Sequence, residues 1–166
     1  VNNGSIVNTD ESTSGIVSNG DLTLNNVKIT SARHALRIES GDVVIDGGTY
    51  EVAPKSIKTL HALNVGDNGT TANVIIKNGT FIGPKGKGAD SGSAVHVYNG
   101  STVTIEGGNY SGGLLNTLSN KGTLVVTGGT FDQDPSAYVA EGYSSKKTGD
   151  WYLVGKPVAT VEELNT

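Results

Sequence analysis

The chain has no cysteine and no methionine, and each absence excludes something. Without thiols there is neither a disulfide framework nor a thiolate metal site. With valine at position 1 and no methionine anywhere, the sequence is expected to be a piece of a longer protein whose targeting signals lie outside it. Aromatic residues make up only 5% and hydrophobic residues 35%, so any core must be narrow. The 12 lysines and arginines form no cluster, and the net charge is −4. That excludes the electrostatic footprint of a nucleic-acid or anionic-membrane binder. No apolar run is long enough to span a bilayer, so no membrane insertion is expected. What is abundant is glycine, at 24 of 166 residues. Combined with apolar runs of about four residues, that points to one domain of short strands joined by tight turns, not a helical bundle.

An internal repeat carries the strongest signal. Five segments align without gaps: 22–29, 43–50, 74–81, 103–110 and 124–131. They read Leu-Thr-Leu-Asn-Asn-Val-Lys-Ile, Val-Val-Ile-Asp-Gly-Gly-Thr-Tyr, Val-Ile-Ile-Lys-Asn-Gly-Thr-Phe, Val-Thr-Ile-Glu-Gly-Gly-Asn-Tyr and Leu-Val-Val-Thr-Gly-Gly-Thr-Phe. The equivalent residues Leu24, Ile45, Ile76, Ile105 and Val126 are spaced by 21, 31, 29 and 21 residues. A constant motif with unequal spacing is what a solenoid tolerates, because insertions leave on its outer face. A second motif precedes each copy, as in His34-Ala-Leu-Arg-Ile and His61-Ala-Leu-Asn-Val. Each coil is therefore expected to hold a strand, a Gly/Asn turn, a second strand, a sharp corner and a third short strand ending on an aromatic.

The corner's first position is Asn26, Gly47, Asn78, Gly107 and Gly128. Glycine and asparagine are the residues that enter left-handed backbone most readily, so all five are expected to have φ > 0. On that reading asparagine would be tolerated at Gly107, and valine would not. Period-2 alternation sends Leu24, Ile45, Ile76, Ile105 and Val126 inward, and Ile29, Tyr50, Phe81, Tyr110 and Phe131 form a second inward column.

The run Val-x-Ile-x-Gly-Gly-x-Tyr/Phe through residues 22–131 resembles the GGTF-type repeats of pectate-lyase-like parallel β-helices. The resemblance implies an all-β, single-stranded, right-handed parallel β-helix of about five coils with a C-terminal helix/hairpin cap. Such repeats occur in surface proteins of gut bacteria and in phage structural and fibre proteins. Residues 1–131 are the expected helix, 132–157 the cap and 158–166 the start of a helical linker.

In the cap, Asp134 and Pro135 suit a short helix start and Gly142 its stop. A hairpin around Lys147-Thr-Gly-Asp150 is expected to follow, with Trp151, Tyr138 and Tyr143 packing as a lid. Thr160 and Glu163 form a capping-box pattern for a further helix, similar to the entry into oligomerising helices of phage fibres.

Candidate chemistry is sparse. His34 and His61 are equivalent and should stack about 5 Å apart on neighbouring coils, as a polar surface ladder. His96 falls in another column, outward with Arg37 and Asn64. Asp46, Lys77 and Glu106 alternate in sign and read as a cross-strand charge ladder, not as a catalytic carboxylate pair. Neither arginine, Arg33 or Arg37, faces an acidic cluster that could hold calcium. No catalytic, metal or cofactor residue is therefore assigned, and no cofactor is implied. An outward line of Thr23, Val44, Ile75, Thr104 and Val125 is unusually apolar for a solvated strand. Val44, Ile75 and Val125, with Tyr98 and Trp151, are the candidate ligand or partner surface. The reading reached is a non-enzymatic structural or adhesive module, extracellular on a virion or bacterial cell surface. Its expected partners are copies of itself (a trimer by analogy with fibres), other surface proteins or a host-surface glycan. A carbohydrate-binding β-helix is the alternative, and a polysaccharide lyase or hydrolase the third.

Overall fold

In a computed structural model, residues 1–53, 60–66, 69–84, 92–98, 100–112 and 122–158 are described. Among them are thirteen strands and no α-helix. The strands are β1 (Asn2–Asn8), β2 (Ile16–Asn19), β3 (Leu22–Ser31), β4 (Leu36–Val52), β5 (Leu60–Val65), β6 (Ala72–Ile82), β7 (Gly92–Val97), β8 (Thr102–Ile105), β9 (Asn109–Ser111), β10 (Thr123–Val126), β11 (Gly129–Phe131), β12 (Ser144–Thr148) and β13 (Trp151–Gly155).

Every pairing from β1 to β11 is parallel and joins one coil to the next. The result is a parallel β-helix. Three strand positions recur along it. The first position carries β2, the start of β4, β5 and β7. The second runs through Leu22, Val43, Val74, Val103 and Leu124. The third runs through Ile29, Tyr50, Phe81, Tyr110 and Phe131. These registers are those the gapless alignment implied, since a slip of one residue would turn each apolar set out to water.

The core is a stack of like side chains. Leu24, Ile45, Ile76, Ile105 and Val126 are all fully buried. In the third position Tyr50, Phe81, Tyr110 and Phe131 stack ring on ring, with centroids 4.9, 5.2 and 4.8 Å apart. Spacing of this size follows from the strand separation of about 4.8 Å. The two tyrosine hydroxyls stay satisfied by donating to the carbonyls of Gly47 (3.2 Å) and Gly107 (2.7 Å). Burial raises the pKa of both phenols.

The corner differs from expectation in three coils. Asn26 (φ 53°) and Gly47 (φ 85°) are left-handed as expected, but Asn78, Gly107 and Gly128 are not. There the left-handed residue is the next one, Gly79, Gly108 or Gly129. The change coincides with a one-residue irregularity in the ladder, where Asp46 lies opposite Asn78. Gly107 is needed for a different reason. A Cβ on it would stand 2.6 Å from the Lys77 carbonyl oxygen of the coil below. Asparagine and valine at Gly107 should therefore be alike, each costing about 1–3 kcal/mol through overpacking. Thermal denaturation of the two variants checks this, and a near-neutral Gly107→Asn would contradict it.

The cap closes the last coil. β13 pairs antiparallel with β11, and β12 pairs antiparallel with β13. The edge of β10 is met by Val139 and Ala140. The expected short helix is reduced to one 3₁₀ turn, Ser136–Tyr138. The Asp134 carboxylate accepts the Ser136 N–H at 3.0 Å and also the Ser136 hydroxyl, which holds this exposed carboxyl below its usual pKa. Tyr138 and Tyr143 pack against the core, as a lid should. Trp151 does not; it is 42% exposed. On β13 it is Tyr152 and Val154 that face inward. The helix expected from Thr160 lies outside the described residues.

Candidate functional site

One outer face of the solenoid is formed by the second strand position. Its central column is Thr23, Val44, Ile75, Thr104 and Val125, in register from coil to coil. Ile75 is 39% exposed, and Val44 and Val125 are half-buried.

Two acidic edges frame the column. On one, the Asp42 N–H donates to the Asp21 carboxylate at 2.9 Å, and the Asn73 amide donates to Asp42 at 3.0 Å. The sequence reading overlooked this edge. Its signal was available, because Asp21 and Asp42 each precede the first residue of a repeat copy. On the other edge stand Asp46, Lys77 and Glu106, all exposed. The expected charge ladder is not formed. The ladder irregularity puts Asp46 opposite Asn78, and the described residues hold one salt bridge, Arg37–Glu39 at 3.0 Å. The face thus offers an apolar strip with carboxylates along both sides.

The histidines assemble differently from the expectation. His34 and His61 do stack, at 5.3 Å and 8°, but they are buried and not on the surface. His96 pairs in register with Asn64 as foreseen, yet its ring stacks on His61 at 4.2 Å. Tyr98, expected to be exposed, is half-buried and meets His96 edge-on at 4.6 Å. One ladder therefore joins all three imidazoles.

Burial keeps the ladder neutral, and its hydrogen bonds hold the rings in place. The His61 N–H donates to Nδ1 of His34 at 3.0 Å, and the Ser93 N–H donates to Nδ1 of His61 at 3.1 Å. The His34 nitrogen is thus an acceptor, which places its ring proton on Nε2. His61 Nδ1 also lies 2.7 Å from the Ser93 hydroxyl oxygen, which itself donates to the Val95 carbonyl at 3.0 Å. His96 Nδ1 lies 3.1 Å from the Asn64 side-chain oxygen and is its natural donor. Burial, and then the neighbouring Arg33 charge, push His34 down to about 4. Burial and then the flanking His96 and His34 push His61 down to about 2, and burial lowers His96. Among the described residues no three histidine or acidic side chains are placed to share a metal ion. The ladder is a packing element of the first strand position.

The fold is that of a parallel β-helix, with one outer face formed by an apolar column between two carboxylate-bearing edges. The chain is 26% identical over 126 residues to two sequences named as probable endopolygalacturonases, from two strains of Aspergillus fumigatus. Each match covers 74% of this chain and 32% of the relative, so the chain spans about a third of their length. No family model matches the sequence, and no solved structure matches it. The relatives carry the names of enzymes. That overturns the reading of the chain as a non-enzymatic structural or adhesive module, reached because no catalytic pair stood out in the sequence. Among the described residues no helix is long and apolar enough to cross a membrane.

Proposed function

We propose that the chain is part of a polysaccharide hydrolase that acts outside the cell on a polyuronate. The observation that supports this reading is the similarity to two probable endopolygalacturonases along 126 residues. Glycoside hydrolysis asks for two carboxyl groups on one face, one giving a proton to the leaving oxygen and one activating water or attacking the sugar. Asp46 and Glu106 meet that need best. They follow the equivalent core residues Ile45 and Ile105, which are two coils apart through Ile76. Two strand spacings amount to about 9–10 Å, close to the roughly 6.5–9.5 Å that leaves room for an attacking water. Lys77 follows Ile76 on the coil between them and supplies a cation for a uronate carboxylate. Val44 and Ile75 line the face on which the sugar ring lies.

The test is the release of reducing ends from polygalacturonate. Asp46→Asn and Glu106→Gln should each lower kcat at least about a hundredfold, the scale of a lost acid or base. Lys77→Met should raise KM more than it lowers kcat. No release by the unaltered protein ends the hydrolase reading. Wild-type rates in both carboxamide variants end the assignment of these two residues.

A further inference from the structure

A second outer face, formed by the third strand position, has a column of a different kind. Register places Lys28 beside Thr49, Thr49 beside Thr80, Thr80 beside Asn109 and Asn109 beside Thr130. The antiparallel cap then extends the same line, with Thr130 opposite Leu153 and Leu153 opposite Lys146. All seven residues are exposed or half-buried. At about 4.8 Å per step the column runs nearly 30 Å, long enough to follow an extended polymer across every coil and onto the cap.

Its composition departs from the rest of the surface. The protein carries a net charge of −4, and the neighbouring face holds Asp21, Asp42, Asp46 and Glu106. Between Lys28 and Lys146 this column holds no carboxylate, only hydroxyl, amide and apolar groups, and Ser5 of β1 continues it beyond Lys28. The carboxylates of the same face, Glu51 and Asp132, stand one column away, and Asp132 accepts from the Ser111 hydroxyl and the Gly112 N–H. Among the described residues neither Lys28 nor Lys146 makes an ion pair. Beside the cap end, Trp151 lies two residues from Leu153 on the same side of β13. They are 42% and 55% exposed. A solvent-facing indole beside a lysine suits a sugar ring that carries an acidic group, through stacking and charge together.

We infer that this column is a holding track for a polyuronate chain, gripped by Lys28 and Lys146 nearly 30 Å apart and by Trp151 as a stacking platform. The inference rests on the hydrolase reading for the class of polymer, and it concerns a face separate from Asp46 and Glu106. The track lets the protein keep hold of a long anionic chain while the other face works on it. Charge selects the polymer, because an esterified chain offers the lysines nothing. Stacking at Trp151 adds a contact that salt does not screen.

Trp151 is the only tryptophan, so its emission reports directly on the cap end of the track. The protein is titrated with polygalacturonate and with the same polymer fully methyl-esterified. Emission should change saturably with the acidic polymer, and the esterified one should bind at least tenfold more weakly. The Lys28→Ala/Lys146→Ala double variant should lose at least tenfold in affinity. It should also show a raised KM on long polygalacturonate and an unchanged kcat. Equal affinity for both polymers, or wild-type affinity in the double variant, overturns the track. So does unchanged emission together with no retention of the protein on immobilised polygalacturonate. A lysine-dependent titration without release of reducing ends keeps the track and ends the hydrolase reading. Release of reducing ends with an unchanged KM in the double variant does the reverse.

Discussion

Lowering the pH from 7 to 4.5 should destabilise this fold by about 3 kcal/mol or more, chiefly through three stacked imidazoles. In the unfolded chain a histidine takes up its proton near pH 6.5. In the folded chain His34 does so only near pH 4 and His61 only near pH 2, while burial lowers His96 as well. Between the unfolded and folded values the unfolded state binds more protons, so stability falls as pH falls. The stabilisation is therefore complete above about pH 6.5 and drains away below it. Each histidine still neutral in the fold contributes about 1.4 kcal/mol per pH unit, and His34 alone amounts to about 3 kcal/mol by pH 4. Protonating any one ring also sets a charge against the next, only 4.2–5.3 Å away. Urea denaturation of the wild type and His61→Gln at pH 7.5, 6, 5 and 4.5 measures the effect. The wild-type curve should be the steeper below pH 6.5. Parallel curves would mean that His61 already carries its charge in the fold.

Phe81→Ala should be among the most damaging single substitutions, at about 3–5 kcal/mol. Phe81 is fully buried, and its ring is sandwiched between Tyr50 at 4.9 Å and Tyr110 at 5.2 Å. Removing it opens a cavity in mid-stack and breaks two ring pairs, each worth about 0.5–1.5 kcal/mol beyond its buried area. A solenoid has no second core to compensate, since each coil rests on its neighbours. Phe81→Tyr makes the control. The two flanking tyrosines donate to the carbonyl three residues before them, so an added hydroxyl at Phe81 meets the Asn78 carbonyl in the same geometry. Chemical denaturation should show a large loss for alanine and little for tyrosine. A loss below 1 kcal/mol for alanine would contradict the stack.

The aromatic column was legible in the sequence because it depends on period alone. Alternation with period 2 and one copy per coil put Tyr50, Phe81, Tyr110 and Phe131 on one line. The same holds for Thr23, Val44, Ile75, Thr104 and Val125, whose registers agree with the gapless alignment. The candidate site was legible only in part. Asp46, Lys77 and Glu106 were seen as one column but read as a self-neutralising ladder. Pairing a charge needs side-chain ends within about 4 Å, and the irregularity beside Asp46 is invisible in a string of letters.

What the sequence by itself determined is the repeat: strand, turn, strand, corner, strand, with apolar and aromatic residues turned in at fixed positions. Those features are local, set by side-chain alternation and by where glycine and asparagine permit a bend. What only the tertiary structure decided is how neighbouring coils meet. It moved the left-handed residue from Asn78, Gly107 and Gly128 to the glycine that follows each. It made Gly107 necessary through the Lys77 carbonyl beneath it. It turned His96 onto His61 and buried the ladder, and it left Trp151 in solvent beside a column that runs from Lys28 to Lys146. Each of these depends on contacts between residues of neighbouring coils, far apart in sequence, and such distances are fixed only when one coil lies on another.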